Sequence, residues 1–484
     1  MIGHGNRRRW WAGLLALAGA LGLTAAVWPP NDLVARGSKA AVVTAEPRAT
    51  RVGLEILQNG GNAVDAAVAV ALALAVTHPQ AGNLGGGGFM LIRLADGTSN
   101  ALDFRERAPK AATADMYLKP DGTVDQDKIQ FGATAAGVPG SPAGLLHAQL
   151  TFGNLRLKQV CAPAIRLARE GFVVDQFLAA DLQENATQLG RFASTRKVFF
   201  RDGKPLQQGD LLVQTDLAET LERFAEGGFD GFYKGKTAEL LVAQMQRDGG
   251  FVTAEDLGAY EVRARTPLVT KYRGHDVFSM PPPSSGGVAL LQMLNLLSGF
   301  DLAILGHGGS ESIHLLTEVM RRAYADRSRW LGDPDHYAVP VQGLLSREYT
   351  EKLRASIDRT KKTDVQPGLP PGKTESDDTT HFSIVDAGGN VVSCTTTINS
   401  TFGSMVVVEG AGFFLNNEMD DFSAKPGVPN QFGLVGGRAN AIAPHKRMLS
   451  SMTPTLVMKG DQVRLVLGAP GGGRIITAVL QTLL

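Results

Sequence analysis

Cysteine is scarce in this 484-residue chain: there are two, Cys161 and Cys394, far apart in sequence. Two thiols are too few for a thiolate zinc cluster or a disulfide scaffold. They leave two readings, one bond in an oxidising compartment or two unrelated buried thiols. The 9 histidines show no HExxH or paired spacing, so no metalloprotease-type site is implied. Neither sign of charge prevails: 48 basic and 47 acidic residues give a net charge of +1. The basic excess that nucleic acid attracts is missing, and so is a solvating acidic tail. Long apolar runs are few, and the two that stand out, Trp10–Leu23 and Asn62–Val76, fall short of the ~20 residues of a membrane-spanning helix.

What is present is ordinary for a folded domain: 44% hydrophobic and 20% charged residues, with 57 glycines for tight turns or close backbone approaches. Length allows one large domain or two or three small ones. The start differs from the rest. Arg7, Arg8 and Arg9 precede the apolar run, and Thr24, Ala25 and Ala26 offer a small-residue cleavage site. This is the layout of a secretory signal peptide over residues 1–26, with an uncleaved anchor as the alternative. Either way the body of the protein is expected beyond a membrane, exported to a periplasmic or extracellular space. The arginine triplet is a weak pointer to twin-arginine export.

Further along, NAVDAAVAVALALAV (62–76) reads as a buried core helix, and GNLGGGGFM (82–90) as a loop entering a strand at Phe89–Ile92. Apolar Ile313, Leu316, Val319, Met320 and Ala323 predict a helix over 310–331, with Arg321, Arg322 and Asp326 on its polar face. Residues 358–378 (DRTKKTDVQPGLPPGKTESDD) read as an exposed loop. From Thr379 the texture turns strand-like: one strand to Val385, a turn at 387–390, and a second strand from Val391. Thr455–Met458 and Val463–Leu467 make another pair. Helices and strands together predict a layered α+β or α/β core.

Two glycine signals carry no chemistry. Gly372-Lys373-Thr374 resembles the end of a phosphate loop, but Pro367 occupies the position of its first glycine. Gly85–Gly88 fits a tight turn better than a dinucleotide fingerprint. The junction Asp378-Thr379 differs. A threonine hydroxyl is a poor nucleophile without an adjacent base, and a chain-terminal threonine can use its own α-amine. A polar loop feeding a strand-initial threonine is where a cut exposing that amine would fall.

The segments after Thr379 (TTHFSIVDAGGN, TINSTFG, FFLNNEMDDFSAKPGVPN, LVGG, LSSMTPT and GAPGGGRIIT) lie in the order of the γ-glutamyltranspeptidase small subunit, which they closely resemble. Upstream, GGNAVDAAVAVALALAV, NLGGGGFM, ALDFRERAP, PPPSSGG and RRAYADRSRWLGDP resemble that family's large subunit. The resemblance covers roughly residues 39–484. It implies an N-terminal-nucleophile hydrolase with an αββα sandwich, class α+β, cut before Thr379. The pieces 27–378 and 379–484 would stay associated as a heterodimer, one intertwined domain.

The implied activity is γ-glutamyl transfer and glutathione hydrolysis without cofactor or metal. The implied partners are γ-glutamyl donors such as glutathione and amino-acid or dipeptide acceptors. By resemblance Thr379 is nucleophile and, through its amine, base. Thr397 hydrogen-bonds it, and Gly471 and Gly472 offer N–H groups to the oxyanion. Arg105, Ser450 and Ser451 take the substrate α-carboxylate, while Asn399, Glu418 and Asp421 take its α-ammonium. Singly, each of these residues has a plainer reading: a surface salt bridge for Arg105, a turn for the serines, a helix cap for Asp421.

The chain departs from the family pattern at three points. Glu418 stands where many bacterial members have Gln. Phe432, in a segment resembling the lid loop, stands where many have Tyr, whose hydroxyl bonds the residue matching Asn399. The chain also ends at Leu484, inside a helix expected from about Arg474, whereas family small subunits continue. The alternatives are a cephalosporin or glutaryl acylase of the same fold and an inactive truncated homologue.

Overall fold

The longest buried element shows how the sequence directs the packing. In the computed structural model, which describes residues 35–365 and 379–484, the alanine- and valine-rich run forms a helix, Ala63–Thr77, with every residue buried. Asn62 caps it by accepting hydrogen bonds from the N–H groups of Val64 and Asp65, and Asp65 accepts from Asn62 N–H at 2.8 Å. The one acid in the run is thus a capping residue. Its second oxygen accepts from Gln149 Nε2 at 2.6 Å and from the Leu155 N–H at 3.0 Å, so the buried charge is fully hydrogen-bonded. Small side chains let three other helices pack close around this one.

The strands of the two main sheets, in chain order, are β1 (Ala41–Val43), β2 (Gly87–Arg93), β3 (Ser99–Asp103), β4 (Arg263–Arg265), β5 (Leu268–Tyr272), β6 (His275–Ser279), β7 (Thr379–Val385), β8 (Val391–Thr397), β9 (Thr455–Lys459) and β10 (Gln462–Leu467). One antiparallel sheet runs β1-β7-β8-β2-β3-β4 and the other β10-β9-β6-β5. The main helices are α1 (Pro47–Gln58), α2 (Ala63–Thr77), α3 (Ser141–Phe152), α4 (Ser285–Leu297), α5 (Ser310–Trp330) and α6 (Ile475–Leu483).

Helices α2 and α3 cover the outer face of the first sheet, α4 that of the second, and β7 and β8 meet β10 between the sheets. The result is the expected αββα sandwich, within the unit Ala40–Leu484. The central strands β7, β8 and β2 are almost wholly buried, with the near-continuous apolar and small sequences that two covered faces require.

The strand expectations from 379 to 399 and around 459–461 match β7 to β10, and the apolar run after the glycines is β2. The helix expected over 310–331 is α5, but its faces need correction. Ile313 is 55% exposed, while Arg322 is buried and donates from Nη1 to Glu318 at 2.8 Å and from Nη2 to the Ser356 carbonyl at 2.7 Å. The chain after residue 355 covers the face that carries Arg322, so a polar side chain was needed inside. Cys161 and Cys394 are separate buried thiols. Among the described residues no helix is long and apolar enough to cross a membrane. The signal-peptide segment 1–26 and Asp378 lie outside the described residues.

Candidate active site

Strand register assembles the first part of the site. β7 and β8 pair so that Thr379, at the start of one, lies opposite Thr397, at the end of the other, and Thr397 lies opposite Gly87 of β2. A hydroxyl pair is therefore fixed at one rim of the sheet by residues 18 apart in sequence. The chain leaves β8 through Asn399, which takes the left-handed conformation (φ 77°). Asparagine tolerates this region better than most side chains. The Asn399 N–H donates to Thr397 Oγ1 at 2.8 Å and Asn399 Nδ2 to the Asn417 carbonyl at 3.0 Å.

Those bonds bring in the stretch 416–421. Asn416, fully buried, ties this stretch to the glycine-rich loop: Nδ2 donates to the carbonyls of Gly85 and Gly137, and Oδ1 accepts from the N–H groups of Gly137 and Glu418. A 3₁₀ turn follows at Glu418–Asp421. Side chains three apart eclipse in such a turn, so Glu418 and Asp421 point the same way. Both accept hydrogen bonds from the guanidinium of Arg105.

Arg105 follows β3 and has no exposed surface. Its N–H donates to Asp103 Oδ1 at 3.0 Å, its carbonyl accepts from Tyr260 Oη at 2.8 Å, and Glu106 lies 3.3 Å from Nη1. Burial alone would lower the guanidinium pKa. Glu418, Glu106 and Asp421 overcome that and hold it firmly charged. For the carboxylates the balance is reversed. Burial raises all three above the ordinary range, most strongly Glu418, against the pull of Arg105, and repulsion from neighbouring carboxylates adds to the rise at Glu106 and Glu418. Glu418 Oε2 is buried without a hydrogen-bond partner. Such an acceptor is costly unless something fills it.

Ser450 and Ser451 enter on the loop before β9. The Ser285 N–H donates to the Ser450 carbonyl at 2.7 Å, docking that loop on the start of α4. Gly471 (φ 119°) turns the chain after β10, and Tyr324 of α5 donates to the carbonyl of Gly473. One cleft is lined by Thr379, Thr397, Asn399, Arg105, Glu418, Asp421, Ser450, Ser451 and Gly472. All the sequence-derived candidates except Gly471 border it, and Gly471 sits one residue outside the wall. Phe432, Leu434, Met452 and Ile475 complete the lining. Phe432 is buried and its N–H donates to Asn430 Oδ1 at 3.1 Å, so the segment expected to act as a lid forms part of the wall.

Sequence reasoning missed Asn416, Glu106 and Asp420. The last two lie next to residues it did select, inside DFRE and NNEMDD, and that adjacency was the available signal. Asp420 offers a pH test. Burial and then the neighbouring Asp421 raise its pKa to about 7, against a hydrogen bond from the Gln431 N–H. A carboxyl raised in the folded state stabilises fully below its unfolded pKa, and that contribution is lost as pH rises through the folded value. The chain should therefore lose stability between about pH 4 and pH 7 on this account. Asp420→Asn should remove part of the loss, raising the melting temperature at pH 8 relative to wild type by an amount equivalent to about 1–3 kcal/mol. Parallel melting curves for the two proteins from pH 4 to pH 8 would contradict the assignment.

Comparison with known proteins agrees with this architecture. The profile of the family described as gamma-glutamyltranspeptidase matches residues 49–484. A glutathione hydrolase proenzyme of Escherichia coli (strain K12) is 50% identical over 451 residues, covering 92% of this chain and 77% of the relative. Among solved structures, Helicobacter pylori gamma-glutamyltranspeptidase superposes with a TM-score of 0.68 at 43% identity, covering 70% of this chain and 100% of that one. The cephalosporin acylase from Bacillus halodurans gives a TM-score of 0.77 at 29% identity, covering 93% and 81%. The sandwich is that of the N-terminal-nucleophile hydrolases, and this chain belongs to the γ-glutamyltranspeptidase family.

Proposed function

We propose that this protein is an exported γ-glutamyltransferase and glutathione hydrolase that cuts itself between Asp378 and Thr379. While Thr379 is inside the chain its nitrogen belongs to a peptide bond and is no base. Hydrolysis of that bond gives it a free α-amine beside its own hydroxyl. The fold supports the pieces 27–378 and 379–484 staying together after the cut, because β7 and β8 lie between β1 and β2 in one sheet.

In the reaction, Thr379 Oγ attacks the γ-carbonyl carbon of the donor while the α-amine takes the hydroxyl proton. Thr397 holds the hydroxyl, and the N–H groups of Gly471 and Gly472 face the oxyanion. Fixed donors of this kind contribute about 2.7–4 kcal/mol each in other hydrolases. The C–N bond then breaks, the leaving amine takes the proton, and a γ-glutamyl ester remains on Thr379. Water or an amino-acid amine attacks that ester and frees Thr379.

Recognition rests on exchange of charge partners. A free amino-acid end brings one carboxylate and one ammonium. The carboxylate takes over Arg105 with Ser450 and Ser451, and the ammonium takes over Glu418, Asp421 and Asn399. The observation that carries the reading is the excess of buried carboxylate around Arg105, with Glu418 Oε2 unpartnered. An ammonium group supplies what is missing.

A glutaryl acylase of the same fold would need no such seat. A glutaryl amide is the γ-glutamyl amide without its ammonium, so the comparison is direct. Hydrolysis of γ-glutamyl-p-nitroanilide should exceed that of glutaryl-p-nitroanilide in kcat/KM by about 10- to 150-fold, the range of 1.5–3 kcal/mol for hydrogen bonds to a charged group. Equal rates, or preference for the glutaryl amide, would favour the acylase.

A further inference from the structure

The last turn of helix α5 carries Arg327, which is 5% exposed and does not line the cleft. Its guanidinium reaches two serines. Nη2 donates to Ser451 Oγ at 3.1 Å, and Nε donates to Ser285 Oγ at 2.9 Å. Ser285 Oγ in turn donates to the Ser450 carbonyl at 2.6 Å. One planar fork therefore sets the hydroxyl of Ser451 and, through Ser285, the backbone of Ser450. Only arginine carries donors at both spacings.

The chemistry of a hydroxyl gives this arrangement a direction. Serine has one proton and two lone pairs on its oxygen. The Ser451 oxygen accepts from Arg327, and the Ser450 oxygen accepts from the Met452 N–H at 3.1 Å. One lone pair of each oxygen is used by the protein and neither hydroxyl donates to a described residue, so each has its proton to give to a ligand. Both serines border the cleft. Two hydroxyls with protons to give, one of them beside the Arg327 charge, suit a carboxylate better than an ammonium. The charge of Arg327 also favours the ionised form of Asp421.

We infer that Arg327 is a positioning residue for the substrate α-carboxylate: its two-pronged contact holds the Ser451 hydroxyl as a donor and, through Ser285, places the backbone of Ser450, and so sets specificity for a carboxylate over a neutral group. The inference rests on the γ-glutamyl reading above and names a residue outside the cleft wall that enforces it.

The test compares two donors on the self-processed protein: γ-glutamyl-p-nitroanilide and the same compound with its α-carboxylate converted to a carboxamide. Arg327→Met should lower kcat/KM for the carboxylate donor about 10- to 30-fold, mainly through KM, as expected for a lost charge-assisted contact. The carboxamide donor should lose clearly less, about 2- to 5-fold, because it lacks the charge being read and shares only the effect of Arg327 on Asp421. In a Ser451→Ala background the effect of Arg327→Met should shrink, since the two act as a unit. If the methionine variant does not accumulate as folded protein, Arg327→Lys carries the same comparison, with the charge kept and one prong lost. Equal losses on both donors, or effects that simply multiply with those of Ser451→Ala, would overturn the inference. A wild-type protein that does not prefer the carboxylate donor would sink the γ-glutamyl reading with it. A wild-type preference that survives unchanged in the Arg327 variants would sink this inference alone.

Discussion

Replacing Thr379 by alanine is expected to leave the chain in one piece and to remove hydrolysis of a γ-glutamyl donor by about 10⁴-fold or more, the scale on which loss of a nucleophile is felt in other hydrolases. Thr379 opens β7 directly opposite Thr397, and the Thr397 hydroxyl is held by the Asn399 N–H at 2.8 Å. That environment is fixed by strand pairing rather than by loop conformation, so the alanine chain should fold with little change. Alanine has no side-chain oxygen to attack with, and an uncut chain has no α-amine at this position to act as base. Thr379→Ser keeps the oxygen and should still process and turn over, more slowly. An alanine variant that cuts itself and hydrolyses donor at the wild-type rate would place the chemistry elsewhere.

Arg105 should be nearly as sensitive, for two separable reasons. The first is binding: losing one partner of a buried, hydrogen-bonded charge pair costs about 2–5 kcal/mol, so Arg105→Met should lower kcat/KM for a γ-glutamyl donor by at least about 30-fold. The second is stability. Glu106, Glu418 and Asp421 all lie within salt-bridge distance of this one guanidinium. Without it, buried carboxylates face one another, a loss of about 3–5 kcal/mol when a buried pair is broken. Their pKa values are already raised in the folded protein and would rise further. The deficit should therefore be largest at neutral and alkaline pH and shrink as the carboxylates protonate on acidification. Arg105→Lys keeps the charge but not the fork, and should fall between. A methionine variant with wild-type KM and a pH-independent change in melting temperature would refute both arguments.

Local signals in the sequence foretold local structure well. The apolar run after Asn62, the strand entered from the glycine loop and the alternating residues after Thr379 each carry their physics within a few positions. The site's composition was legible because the ordered segments resemble a known family, and all but Gly471 of the residues so chosen border one cleft. Contacts set by distant chain were not legible. Periodicity in α5 marks a stripe, but the chain near Ser356, far along the sequence, decided that Arg322 is inside. The pairing of Arg105 with Glu418 spans 313 residues, and no window of sequence encodes it. Arg327 was visible only as one arginine among several in RRAYADRSRW. Its role depends on two serines brought to it by α4 and by the loop before β9.

The central claim is that Thr379 becomes a chain terminus. Intact mass and N-terminal sequencing of the purified protein test it most directly. The account predicts two pieces, one beginning Thr-Thr-His-Phe with the mass of residues 379–484, and none from Thr379→Ala. A folded wild-type protein that stays a single uncut chain, or is cut at another bond, would contradict it.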